Sequence, residues 1–115
     1  MSTDIGARLP REGSSYLSAT DAWQSTDTPG FWIRNLLVDP TASATTMLMK
    51  IDPGAFADRH SHAELEQIFV LEGSFFDEER LLLPGDFCAR AAGALHTAGS
   101  KDGAVVFLVY SRATR

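Results

Sequence analysis

From Thr28-Pro29-Gly30 onward, turn signals interrupt this chain every eight to twelve residues, and helical periodicity is almost absent beyond about Thr20. Between the turns lie short apolar runs at residues 31–38, 45–51, 67–71, 75–76, 81–83, 87–89 and 105–110. The breaks contain Asp39-Pro40, Asp52-Pro53-Gly54, Glu72-Gly73-Ser74, Pro84-Gly85-Asp86 and the segment from Gly99 to Gly103. Short strands joined by turn chemistry at this spacing predict an all-β sandwich or barrel with little or no helix. Residues 1–15 are polar and broken by Gly6, Pro10 and Gly13, so they are expected to form a flexible or partner-swapped arm. Residues 16–115 are expected to form one domain, long enough to bury a core.

Composition removes several function classes. The net charge is −5 and the ten basic residues are dispersed, which argues against a nucleic-acid surface. No apolar run approaches the roughly 18–20 residues needed to span a bilayer, and the first twenty lack a signal-peptide core. A single cysteine, Cys88, precludes an internal disulfide and fits a reducing cytoplasm.

All three histidines fall in one constellation: His60 and His62 are two apart, and His96 comes from a distant segment. A lone histidine is usually a surface or satisfied core residue. On a strand, however, residues two apart share a face, so His60 and His62 can lean toward one ion. A third ligand from another strand would enclose that ion inside the sandwich. Glu64 and Glu66 continue the alternation, and spacing alone leaves either carboxylate open to the metal. Imidazole with carboxylate suits iron, zinc, manganese or nickel. Gly54, Gly73, Gly85 and Gly93 stand where strands should end.

These residues resemble the cupins. The first cupin motif, G-x5-H-x-H-x3,4-E-x6-G, is met at Gly54, His60, His62, Glu66 and Gly73. The second, G-x5-P-x-G-x2-H-x3-N, is met at Gly85, Gly93 and His96, with Ala91 in place of proline and Ser100 in place of asparagine. The resemblance implies a jelly-roll β-barrel (a double-stranded β-helix) with one divalent metal on His60, His62, Glu66 and His96. It favours Glu66 over Glu64 as ligand, leaving Glu64 to accept the spare N–H of a ligand histidine. Residues 70–78 and 84–87 are similar to the ChrR-type cupins, which include half of an anti-sigma factor and acetylacetone-cleaving dioxygenases. The helical zinc module of the anti-sigma proteins is not expected here.

That resemblance implies an iron-dependent oxygenase acting on a small ketone, diketone or aromatic ketone, with Glu66 as fourth ligand or as a base. The alternative is a non-catalytic zinc cupin that senses a small molecule. Met47, Met49, Phe56, Phe69, Phe87 and Phe107 are expected in the core or lining the substrate pocket. Arg59 and Arg90 are expected at the surface, Cys88 as a small buried residue, and Asp77-Glu78-Glu79 as a solvated turn. A homodimer is expected, because pairing covers exposed strand edges.

Overall fold

A computed structural model describes residues 6–7, 9–19 and 22–112. Among them are ten strands and no helix: β1 Gln24–Ser25, β2 Phe31–Asp39, β3 Ala44–Ile51, β4 Phe56–His60, β5 Leu65–Gly73, β6 Phe75–Phe76, β7 Leu81–Leu82, β8 Phe87–Arg90, β9 His96–Gly99 and β10 Ala104–Ser111. They form two antiparallel sheets, one ordered β1-β2-β3-β10-β5-β8 and the other β4-β9-β6-β7. No helix among the described residues is long and apolar enough to cross a membrane. All-β architecture is therefore what the turn spacing predicted. Of the expected arm, residues 1–5 and 8 lie outside the described residues. Ala7 forms an isolated parallel bridge with Leu37, its N–H donating to the Leu36 carbonyl at 2.7 Å.

Strand periodicity decides what faces inward. On β5 the inner side chains are Glu66, Ile68 and Val70; on β10 they are Ala104, Val106 and Leu108; all six are buried. Val70 and Val106 are fully enclosed between the sheets, and burial of each contributes about 1.5–3 kcal/mol. Phe31, Met47, Ile51, Phe75 and Leu82 complete the core with small residues from β4 and β9.

Three of the connections are tight turns closed across a Pro-Gly pair. The N–H groups of Phe31, Ala55 and Asp86 donate to the carbonyls of Thr28, Asp52 and Leu83 at 3.1, 3.0 and 2.8 Å. Gly73 has a different task, ending β5 with φ +77° where a Cβ would run into the Gly103 carbonyl oxygen. That oxygen accepts the N–H of Ser74 at 3.1 Å and so ties β5 to the start of β10. Gly73→Ala should therefore cost about 3 kcal/mol of stability, read as a lower urea midpoint with an unchanged slope.

Candidate metal centre

A bulge aims the first histidine. Ala57 pairs with Ala98 and His60 pairs with His96, so β4 spends three residues where β9 spends two. Ala57 and His60 are an odd number apart and would face opposite ways on a regular strand; the extra residue turns both inward. His60 is the last residue of β4, and His62 lies beyond it in the connection to β5. The expected alternation through His62 and Glu64 is thus replaced by a strand end, a bend and a new strand.

A backbone bond then draws the two motifs together. Ala91 and Ala94 close a turn, with the Ala94 N–H donating to the Ala91 carbonyl at 3.1 Å. Gly93 occupies its third position at φ +82°, as a type II turn requires, and its N–H donates to the His62 carbonyl at 2.7 Å. The absent motif proline does not prevent this turn. Ser100, in place of the motif asparagine, is 1% exposed. Its carbonyl accepts the Gly54 N–H at 2.8 Å and its own N–H donates to Ala55 at 3.2 Å.

The three imidazoles converge. Their ring centroids are 5.0, 4.4 and 5.5 Å apart, and one ligand nitrogen from each lies within 4.8 Å of the others. Nitrogens sharing an ion at about 2.1 Å stand about 3.0–3.4 Å apart, so small ring rotations close the set. On two of the three rings the outer nitrogen is already committed. His60 Nδ1–H donates to the Asp58 carbonyl at 2.7 Å, and His96 Nδ1–H to the Ala94 carbonyl at 3.2 Å. Those bonds leave each Nε2 lone pair facing the site, the tautomer a metal needs. They also take the spare N–H groups of His60 and His96, two of the three that Glu64 was expected to serve; Glu64 sits half-buried in the bend and does not line the cavity. Burial lowers the His96 pKa, with the nearby Arg90 cation adding to the effect, and this favours the neutral ligand form.

The opposite sheet supplies a different chemistry. Tyr110 pairs with Glu66 and Glu66 pairs with Arg90, so β10, β5 and β8 present these three as one inward row. Tyr110 donates its hydroxyl hydrogen to Glu66 Oε2 at 2.6 Å, and Arg90 Nε donates to Oε1 at 3.1 Å. The same carboxylate oxygens lie 3.5 Å from His62 Nε2 and 3.6 Å from His96 Nε2. Burial raises the Tyr110 pKa, and the Glu66 charge and hydrogen bond raise it further. Arg90 is not at the surface as its sequence context implied. Its side chain is 10% exposed, and Nη1 also pairs with Asp77 Oδ2 at 2.8 Å.

Asp77 in turn leaves the solvated turn predicted for it, accepting the N–H groups of Glu79 and Arg80 at 2.7 and 2.8 Å. Glu78 accepts from the Thr97 N–H and hydroxyl at 2.8 and 2.9 Å, which hold its pKa down to about 2. Cys88 is half-buried, and burial pushes its thiol pKa up.

A cavity of about 440 Å³ joins the polar end to the barrel interior. His60, His62, His96, Glu66 and Tyr110 lie in its wall with the apolar side chains of Phe31, Met49, Ile68, Phe75, Val106 and Leu108. Arg59 is exposed and also lines it. Of the expected pocket residues, Met49 is placed on this cavity and Met47 in the core beside it. Phe56, Phe69, Phe87 and Phe107 are not on it. Phe69, Phe87 and Phe107 sit on the outer face of the larger sheet, and Phe56 is exposed and stacks on Phe76 at 6.4 Å. Size and apolarity drew attention to these rings, but the face of the strand decides. Glu66 is inward, so residues 68 and 70 are inward too and residue 69 is not. Tyr110, missed from sequence, carries the same signal two residues beyond the inward Leu108.

Comparison with known proteins agrees with this architecture. The ChrR cupin-like domain family matches residues 15–114. The structure of Rhodobacter sphaeroides SigE in complex with the anti-sigma ChrR superposes with a TM-score of 0.69 at 23% identity, covering 78% of this chain. The chain spans 49% of the length of that matched protein. KdgF from Halomonas sp. gives a TM-score of 0.64 at 28% identity, covering 79% of this chain and 88% of its own. An acetylacetone dioxygenase from Acinetobacter johnsonii gives 0.77 at 15% identity, covering 90% of this chain and 77% of its own. No curated protein matches the sequence. A match over residues 15–114, with both motifs folded onto one site, means that this chain belongs to the ChrR cupin-like family.

Proposed function

We propose that this protein is a mononuclear iron oxygenase that cleaves a small enolisable ketone, diketone or aromatic ketone with dioxygen as oxidant. The observation that carries the reading is the division of labour between the sheets. Three imidazoles converge from β4, β9 and their connections, while Glu66 is held from the other side by Arg90 and Tyr110. His60, His62 and His96 would hold the ion, and their donor chemistry suits iron. When bound, the metal supplies Lewis acidity and one-electron chemistry with dioxygen. With both oxygens engaged, Glu66 stays beside the ion and takes the acidic C–H proton of the substrate as it becomes an enolate. Arg59 stands where it can attract that anion, and the apolar walls exclude water around it. The half-buried lone thiol of Cys88 fits a cytoplasmic protein.

Oxygen uptake by iron-loaded protein, screened against diketones and aryl ketones, tests this reading. Glu66→Gln should keep its metal and lose about 100-fold or more in kcat, as expected for removal of a general base. Loss of metal instead would make Glu66 a ligand. A second reading rests on the same carboxylate. Its oxygens are 3.5 and 3.6 Å from two ligand nitrogens, close enough to join a four-ligand zinc shell with no position left for substrate. Such a protein would hold zinc and consume no oxygen with any of these ketones.

A further inference from the structure

The cavity runs deeper than the three imidazoles and Glu66 require, and the strand register gives its depth. Tyr110 pairs with Glu66 at the polar end, and two residues inward Leu108 pairs with Ile68. Two further inward on β10 stands Val106, which pairs with Met49. All six line the cavity, and the four residues of strand from Tyr110 to Val106 measure about 13 Å. On the opposing sheet, Ala98 follows His96 by two residues and pairs with Ala57. Both alanines line the cavity, at 7% and 8% exposure. Where the larger sheet sets leucine and isoleucine, the smaller sheet therefore answers with two methyl groups. Protein interiors are otherwise packed as densely as organic crystals, and atoms that line a void forfeit dispersion contacts. The alanine pair holds open a passage that larger apolar residues would fill. Past it lie two rings: Phe76 pairs with Gly99, which sets Phe75 beyond Ala98, and Phe31 pairs with Ile51, beyond Met49 on β3.

We infer that this inner passage is a subsite for an uncharged apolar tail on the substrate, ending in an aromatic ring, and that Ala57 and Ala98 decide which tails enter. The inference rests on the ketone-cleaving reading above, which sets the substrate's oxygens at the imidazoles. From there the tail runs inward past the alanine pair toward Phe31, Met49 and Phe75. A ring suits that end, because aromatic neighbours add offset and edge contacts and a thioether packs well at a ring edge. The side chains along the passage carry no charge. The charged Asp58 and Arg59 on the cavity wall are exposed, and the Thr26 hydroxyl is spent on the Phe31 carbonyl at 2.8 Å. A charged tail would be buried there without a partner. A diketone with two methyl ends occupies the polar end and leaves the passage empty, whereas a cavity of about 440 Å³ lies in the range that encloses a larger ligand.

Calorimetric titration of the full chain, loaded with iron and kept free of dioxygen, compares acetylacetone with its analogue in which a phenylethyl group replaces one methyl. The phenylethyl compound should bind about 50-fold more tightly, as expected for burying one aromatic group. It should also bind about 3-fold or more tightly than a hexyl-tailed analogue, whose chain loses more rotamer freedom and makes no ring contacts. Ala98→Leu sets a larger side chain in the passage and should cut the phenylethyl preference to about 2-fold or less. Because it fills space instead of displacing neighbours, its urea midpoint should equal or exceed that of wild type. Ala57→Leu repeats both readouts from the paired strand. Equal affinity of wild type for acetylacetone and the phenylethyl compound overturns the subsite, and so does a preference that survives both variants. A hexyl tail that binds as tightly as the ring overturns the assignment of an aromatic tail. The function is tested separately: a preference for the phenylethyl tail without oxygen uptake sinks the oxygenase and keeps the subsite, and uptake without any preference does the reverse.

Discussion

Arg90→Met is expected to destabilise the protein by about 3–5 kcal/mol, since it strands two buried carboxylates at once. The side chains of Glu66 and Asp77 are 5% and 7% exposed, and Arg90 bridges them from the interior. Methionine fills a similar volume, so the loss reports uncompensated charge rather than a cavity. Removing the charges with the cation should reverse most of it. The triple variant Arg90→Met, Glu66→Gln, Asp77→Asn is expected to recover the greater part of the loss in urea unfolding. The acid side has a definite sign. Burial raises the Asp77 pKa, but the N–H groups of Glu79 and Arg80 and then the Arg90 guanidinium bring it below its ordinary value of 3.8. A lowered native pKa means that the stability it adds is fully present above about pH 4 and fades as the pH falls toward the native value. The gap between wild type and Arg90→Met should accordingly be widest near neutrality and close below about pH 4. A gap that persists at pH 3 would mean that packing, not charge, is what Arg90 provides.

His96→Ala carries the second large effect. His96 is the most enclosed of the three imidazoles, 4% exposed, and the one that links β9 to the pair from β4 and its connection. Without it two ligands remain, and metal retained through dialysis should fall from near one ion per chain to about a tenth or less. The fold should survive, because the core lies deeper between the sheets than the site. Circular dichroism of the variant should overlay the wild type, and only its thermal midpoint in the presence of metal should drop. Full retention of metal by His96→Ala would place the ion elsewhere.

Much of this was legible before the structure. The Pro-Gly pairs mark real turns, and the long runs around Phe31, Thr45, Gln67 and Val105 are strands because their inward residues are large and apolar. What stayed hidden has physical causes. β4 reads Phe-Ala-Asp-Arg-His and β9 reads His-Thr-Ala-Gly; their inward positions are alanine and histidine, so no apolar alternation announces them. The bulge that aims His60 depends on pairing with β9, which local sequence does not encode. The burial of Arg90 depends likewise on the register that sets it beside Glu66, a partner far away in sequence. Among the aromatics, size and apolarity are a poor guide: Phe56, Phe69, Phe87 and Phe107 lie off the cavity because strand face, not residue type, sets which side a ring takes.

The most direct test of the metal-dependent oxygenase is elemental analysis of untagged protein, purified without a nickel column or chelator. The account predicts iron at close to one ion per chain, removed by His96→Ala and kept by Glu66→Gln. Tightly held zinc, or a folded protein that carries no metal and takes up none when supplied with iron, would contradict it.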